Sequence, residues 1–242
     1  MSEMARSDFI GTCSAAAAAT LYGATPQRSI AGVTIPDTPL AREATAIAQS
    51  CEPVEIFNHS LRTFLFAELI ASAKNRVHDV EAVYVAAVLH DTGLSAKYMS
   101  ETGRFEVDGA NVARALLQRY KVDEARAEVI WDAISLHDQG GIARWKRPEV
   151  ALVNAGVSAD FGAYLDLLSA SQTRAVLAAA PRKGFIPVFL EAVANVAKRK
   201  PQATGNCFVT DVGYRMVPGF HLPNFCDEVR TDPFAAYDQP VR

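Results

Sequence analysis

Long apolar runs are missing from this chain. No stretch of its 242 residues approaches the roughly 20 that a membrane-spanning helix needs. An excess of positive charge is missing too. With 24 Lys and Arg against 27 Asp and Glu, the formal net charge is −3 and the pI is near 6.0. The chain therefore lacks the basic face with which proteins neutralise nucleic-acid phosphates. The four cysteines (Cys13, Cys51, Cys207 and Cys226) form no CxxC pair. That spacing excludes a zinc ribbon or a disulfide framework and fits reduced thiols in a cytoplasmic protein. There is no glycine-rich phosphate loop of the Walker type, no internal repeat and no alternating run that suggests a sheet. The start, "MSEMARSDFIGTCSAAAAATLYGATP", lacks the basic segment and strongly apolar core of a secretion signal, and is read as mature chain.

What is present is one helical pattern after another. Half of the residues are hydrophobic and 21% are charged, as in a soluble globular domain. Phe57, Leu61, Phe64, Leu65 and Leu69 recur at helical spacing over about 53–73. Asp79 is placed to cap a second helix, "DVEAVYVAAVLHD", with Gly93 just past its end. Further helices are expected over about 107–120 and from Asp123 to about Leu136. Another starts at Pro148 and runs through "PEVALVNAGVSADFGAYLDLL", and a last one covers about 186–199. The expected fold is all-α. An N-terminal extension and leading helix occupy 1–45, the helical body 46–200, and an irregular tail packed on that body 201–242.

Five histidines can be weighed one by one. His78-Asp79 lies at a helix start, where the aspartate caps and the histidine is expected to be exposed. His90-Asp91 sits instead behind the apolar "AAVL", where an unpaired carboxylate would be very costly. Adjacent residues on a helix diverge by about 100°, so this doublet can act together only if its helix ends against a common centre. His59 lies on an equally apolar helix, and Asp160 falls in helical register with Val153, Val157 and Tyr164. Two imidazoles and two carboxylates buried in a small helical domain are accounted for by one divalent cation held by His59, His90, Asp91 and Asp160.

The order His59, His90-Asp91, Asp160 resembles the H…HD…D signature of the HD-domain superfamily of metal-dependent hydrolases. More specifically, "NHSLRTF", "LHDTG", "RFEVDGA", "LHD", "FGAY", "PRKGF" and "HLPNF" resemble the cyanamide hydratase, or urea hydro-lyase, family. The resemblance spans roughly 50–230. It departs at "ADFG", where that family tends to read Asp-Asn-x-Gly, and the departure bears on the pocket and the substrate more than on the metal. The resemblance implies a single HD domain, a zinc ion (Zn2+), and hydration of cyanamide to urea by a metal-bound hydroxide. Fe2+ or Mn2+ suits the ligand set nearly as well, and a homo-oligomer is plausible.

An unligated acid–base group is also needed. His137, on one face with Ile130 and Ala133, is the candidate, and a fifth ligand or part of a second metal site are its alternatives; catalytic roles thus fall to His137 and Asp91. Asn58, Phe105, Lys97 and His221 are candidates to contact a small-molecule substrate, each with an ordinary capping, core or surface role as its rival, and Thr92 is a further residue near the doublet. The chief competing activity is a phosphohydrolase, for which Lys97, Arg104 and "RWKRP" would have to supply cations. A catalytically silent ligand-binding protein on the same scaffold is the other alternative.

Overall fold

The computed structural model describes residues 28–205 and 207–224. Cys13, Cys226 and the reading of residues 1–26 lie outside the described residues. A two-stranded antiparallel hairpin, β1 (Ser29–Ile30) and β2 (Val33–Thr34), precedes the helices. Everything else that is regular is helical, as expected. Strands of two residues are too short to leave an alternating signature.

Helix α1 (Pro39–Cys51) starts at Thr38, whose hydroxyl accepts from the Ala41 amide, and it crosses the boundary expected at 45. Helix α2 (Val54–Ala73) is buried almost all round, which places it inside the bundle. Helix α3 (Val80–Leu89) is apolar and buried from Ala82 to its end and begins at Asp79, whose carboxylate accepts from the Ala82 amide. Helices α4 (Phe105–Arg119), α5 (Glu124–Ser135, capped by Asp123) and the short α6 (Gly140–Ala143) follow. Helix α7 (Pro148–Asp160) packs along α2. The two approach so closely that a Cβ on Gly156 would lie 2.1 Å from the Thr63 carbonyl oxygen, so only glycine fits there.

Helix α7 is shorter than expected. Phe161 leaves the helix, Gly162 has φ +97° and Tyr164 has φ +57°, so the chain turns sharply after Asp160. Tyr164 therefore does not continue the buried face of Val153, Val157 and Asp160, and its ring lies under the Lys74 ammonium instead. Helix α8 (Ala170–Ala179), with a capping box from Ser169 and Gln172, went unread because only Val176 of it is buried. Helix α9 (Phe185–Arg199) is where expected. Lys200 beyond it is buried in an ion pair with Asp108. The tail is not wholly irregular either, because α10 (Phe208–Met216) packs on α9.

Two apolar clusters result. The larger lies among α1–α5 and α7. The smaller, with Ile56, Phe105, Phe185, Phe189 and Val209, joins α9 and α10 to the starts of α2 and α4. His59 and His90-Asp91 lie at this second junction. Among the described residues no helix is long and apolar enough to cross a membrane.

Candidate metal centre

His59 comes from the second turn of α2, His90-Asp91 from the end of α3, and His137 from just beyond α5. His90 still has helical torsions (φ −62°, ψ −32°), whereas Asp91 (φ −99°, ψ 1°) has left the helix. That break lets both side chains of the doublet face one point. Gly93 permits it for a reason other than helix termination. A Cβ there would lie 1.9 Å from the Phe105 carbonyl oxygen, so the glycine lets the start of α4 close against the doublet.

The three histidines share one arrangement. Nδ1 of His90 and of His137 each donate to a backbone carbonyl one turn back, Ala87 O and Ile134 O, both at 2.7 Å. His59 Nδ1 is held at 2.7 Å by Asp160 Oδ2. With Nδ1 the donor in each ring, Nε2 keeps its lone pair. All three Nε2 atoms turn toward Asp91. His90 Nε2 is 3.2 Å from Oδ2, His59 Nε2 is 3.7 Å from Oδ2, and His137 Nε2 is 3.9 Å from Oδ1. All four side chains are buried.

His90 Nε2 and both Asp91 oxygens have no hydrogen-bond partner among the described residues, because the 3.2 Å approach between them lacks hydrogen-bond alignment. Buried polar atoms left unpaired are costly unless something binds them. Ligand atoms of His59, His90 and Asp91 lie within 4.8 Å of one another. Two imidazole nitrogens and a carboxylate oxygen are a donor set that a divalent transition ion satisfies. The charges agree. Burial would raise the Asp91 carboxyl, but His90, His59 and His137 outweigh it and hold it well below the usual carboxylate range. Burial acts to lower His90 and Asp91 overrides it, so His90 is raised; His59 is lowered, chiefly by burial, against the pull of Asp160. His137 is lowered to about 4 by burial and then by its neighbour His90, and is neutral at neutral pH.

Asp160 departs from the expected ligand set. Its carboxylate is taken up by Arg62, with Nε 2.7 Å from Oδ1 and Nη2 2.8 Å from Oδ2, and by His59 Nδ1. Arg182 reaches its backbone carbonyl and lies 3.3 Å from Oδ1. Burial would raise Asp160, but His59 and Arg62 together bring it down to about 2. The structure thus places Asp160 behind His59, on the ring nitrogen that faces away from Asp91. Its sequence spacing marked it as buried but did not identify its partner. The available signal was Arg62, one turn beyond His59 on an apolar helix.

The residues proposed to contact substrate are not gathered here. Asn58 donates to the Pro181 carbonyl at 3.3 Å, Lys97 is exposed and donates to Ser50 Oγ at 3.1 Å, and His221 is exposed. Phe105 is core, its ring 5.6 Å from that of His137, and Thr92 is buried with its hydroxyl on the Leu89 carbonyl. His78 also differs from expectation. Its side chain is largely buried, with Nε2 2.8 Å from Glu68 Oε1.

A cavity of about 530 Å³ opens onto His59, His90, Asp91 and His137. Its remaining wall is mostly apolar, including Val157, Phe161, Ile186, Phe189, Leu190 and Phe208, with Asp138, Asn154 and Ser158 as polar exceptions. None of its described lining residues is Lys or Arg. Asn154 also donates at 2.7 Å to the His137 carbonyl and so steadies that corner. The wall residues of α9 and α10 went unread because apolar positions there look like any core until the helices are packed.

Residues 56–160 match the HD domain, an all-α fold. It begins one turn before His59 and ends at Asp160. No curated protein matches the chain.

Proposed function

We propose that this HD domain holds one divalent metal on His59, His90 and Asp91 and hydrates a small uncharged nitrile, cyanamide to urea being the simplest case. The observation that carries the reading is the absence of Lys and Arg from the described wall of the cavity onto which these ligands open. A phosphate ester would need cations around its oxygens. Of the candidates for that task, Lys97 pairs with Ser50, Arg104 with Glu106 and Asp138, and Lys146 with Asp132, and neither Arg144 nor Arg147 lines this cavity. An uncharged substrate in an apolar pocket needs none of them.

A divalent ion at this position would supply Lewis acidity, lowering the pKa of water toward neutrality. Zinc fits the donor set, and so do Fe2+ and Mn2+. The protein's own residues then have separable tasks. Asp160 and Arg62 hold His59 in one tautomer and orientation. The apolar wall excludes bulk water. His137, neutral and with Nε2 free on the Asp91 side, is placed to take a proton from the attacking water as the carbon–oxygen bond forms. It returns that proton to the nitrile nitrogen as one carbon–nitrogen π bond breaks. The resulting isourea tautomerises to urea.

The cavity exceeds what a molecule of three heavy atoms fills, so substituted nitriles belong in the same assay. The test is a paired measurement on metal-quantified protein: urea or amide formed from cyanamide and organic nitriles, and phosphate released from a panel of nucleotides. Amide formation that a chelator abolishes, with no phosphate release, supports the proposal. Phosphate release without hydration replaces it with the commoner hydrolase chemistry, and bound metal with neither activity replaces it with a ligand-binding role.

A further inference from the structure

Behind His137 lies a second cluster that the reaction above does not use. Glu106 is in the first turn of α4, Asp138 follows His137 directly, and Cys207 precedes α10. One ligand atom from each lies within 4.8 Å of the others, the same spacing found for His59, His90 and Asp91. Glu106 is fully buried and the Asp138 side chain is only 6% exposed. A single guanidinium serves both carboxylates: Arg104 Nη2 pairs with Glu106 Oε1 and lies 3.4 Å from Asp138 Oδ2. That leaves Glu106 Oε2 and Asp138 Oδ1 without a hydrogen-bond partner among the described residues.

The Cys207 thiol donates to the Thr204 carbonyl at 3.1 Å, which leaves the sulfur lone pairs available. Among the described residues one arginine faces two buried carboxylates, an arrangement that a low-dielectric interior tolerates only if a proton or a second cation balances the charge. The perturbations run the same way. Burial, and then Glu106, pushes the Cys207 thiol up to about 11, and burial raises Glu106 with Asp138 adding to it. A bound cation would reverse both tendencies, because it stabilises thiolate and carboxylate together.

We propose that Glu106, Asp138 and Cys207 form a second cation site, selective for borderline ions such as Zn2+, Co2+ or Fe2+ over Mg2+ and Ca2+. Two oxygens and one sulfur set that preference, since magnesium and calcium avoid thiolate. The site joins α4, the end of α5 and α10. An ion there staples α10, and with it the cavity-wall residue Phe208, to the HD domain. It does not depend on nitrile chemistry at the first centre.

Cobalt provides the test, because a thiolate ligand gives Co2+ a charge-transfer band in the near ultraviolet that nitrogen and oxygen ligands do not. Metal-free full-length protein is loaded with Co2+, desalted and assayed for cobalt content and absorption, as wild type, Cys207→Ser and Asp91→Ala. The proposal expects two cobalt ions and the band in wild type. Cys207→Ser should lose one ion and the band with its helical circular dichroism unchanged, and Asp91→Ala should lose one ion and keep the band. A band absent from wild type, or a band that survives in Cys207→Ser, overturns it. Should Cys207→Ser fail to fold, Asp91→Ala still decides: loss of the band there also overturns the proposal.

Discussion

Replacing Asp160 with Asn separates two roles that a buried carboxylate beside a metal centre can have. In the structure Asp160 binds Arg62 through both oxygens and holds His59 Nδ1, so it acts on the metal only through His59. Its carboxyl is lowered from the ordinary 3.8 to about 2. A folded pKa below the unfolded one contributes stability above the unfolded value and loses it as pH falls through the folded value. Here that window runs from about 4 down to about 2, and the contribution at neutral pH is about 2–3 kcal/mol. Asp160→Asn should lose that amount in urea denaturation of the metal-free protein at pH 7, with the gap from wild type narrowing in acid. Loss of an outer hydrogen-bond partner weakens metal binding by about 10–100-fold. Competition against a chromophoric zinc chelator measures it, and the variant should still fill at saturating metal. A variant that takes up no metal at saturation, as Asp91→Ala should, would refute the reasoning and make Asp160 a direct ligand.

Three further outcomes follow from the same geometry. Glu52 has no hydrogen-bond partner for either carboxylate oxygen among the described residues, and its pKa is raised well above 4.5 by burial and then by Asp91. Because a raised folded pKa costs stability as pH climbs past the unfolded value, Glu52→Gln should raise the Tm of the metal-free protein at pH 7–8. The gain should vanish below about pH 4.5; no difference at either pH contradicts this. His137→Asn should keep the ion of the first centre while kcat falls by about 10²–10⁴-fold, the range for loss of a general acid–base group. Coincident loss of that ion would make His137 a ligand. Gly156→Ala should destabilise by about 1–3 kcal/mol in a denaturant titration, since its methyl has to displace the Thr63 carbonyl of α2.

Much of this architecture could be read from spacing and caps. The Asp79 and Asp123 caps, Pro148 at a helix start and the apolar register of α2, α3 and α9 located five helices and brought His59, His90, Asp91 and His137 to one centre. Those are local signals, carried by residues within a turn or two of one another. Partnership across helices left no such mark. Arg62 takes Asp160 from about a hundred residues away, and the wall formed by Ile186, Phe189 and Phe208 exists only once α9 and α10 fold over the centre. Asn58 is not among the residues that line the cavity, for a simple reason. A neighbour of His59 on a helix points about 100° away from it. Lys97 follows the His90-Asp91 doublet in the sequence and His221 lies in the tail motif "HLPNF", but neither lies on the cavity wall.

The central claim is that His59, His90 and Asp91 hold a catalytic ion. Its most direct test is the metal content of wild type and Asp91→Ala, measured by elemental analysis after exhaustive dialysis against metal-free buffer. The account predicts that the variant loses one ion per chain and all metal-dependent turnover while remaining folded. Unchanged metal content in the folded variant would contradict it.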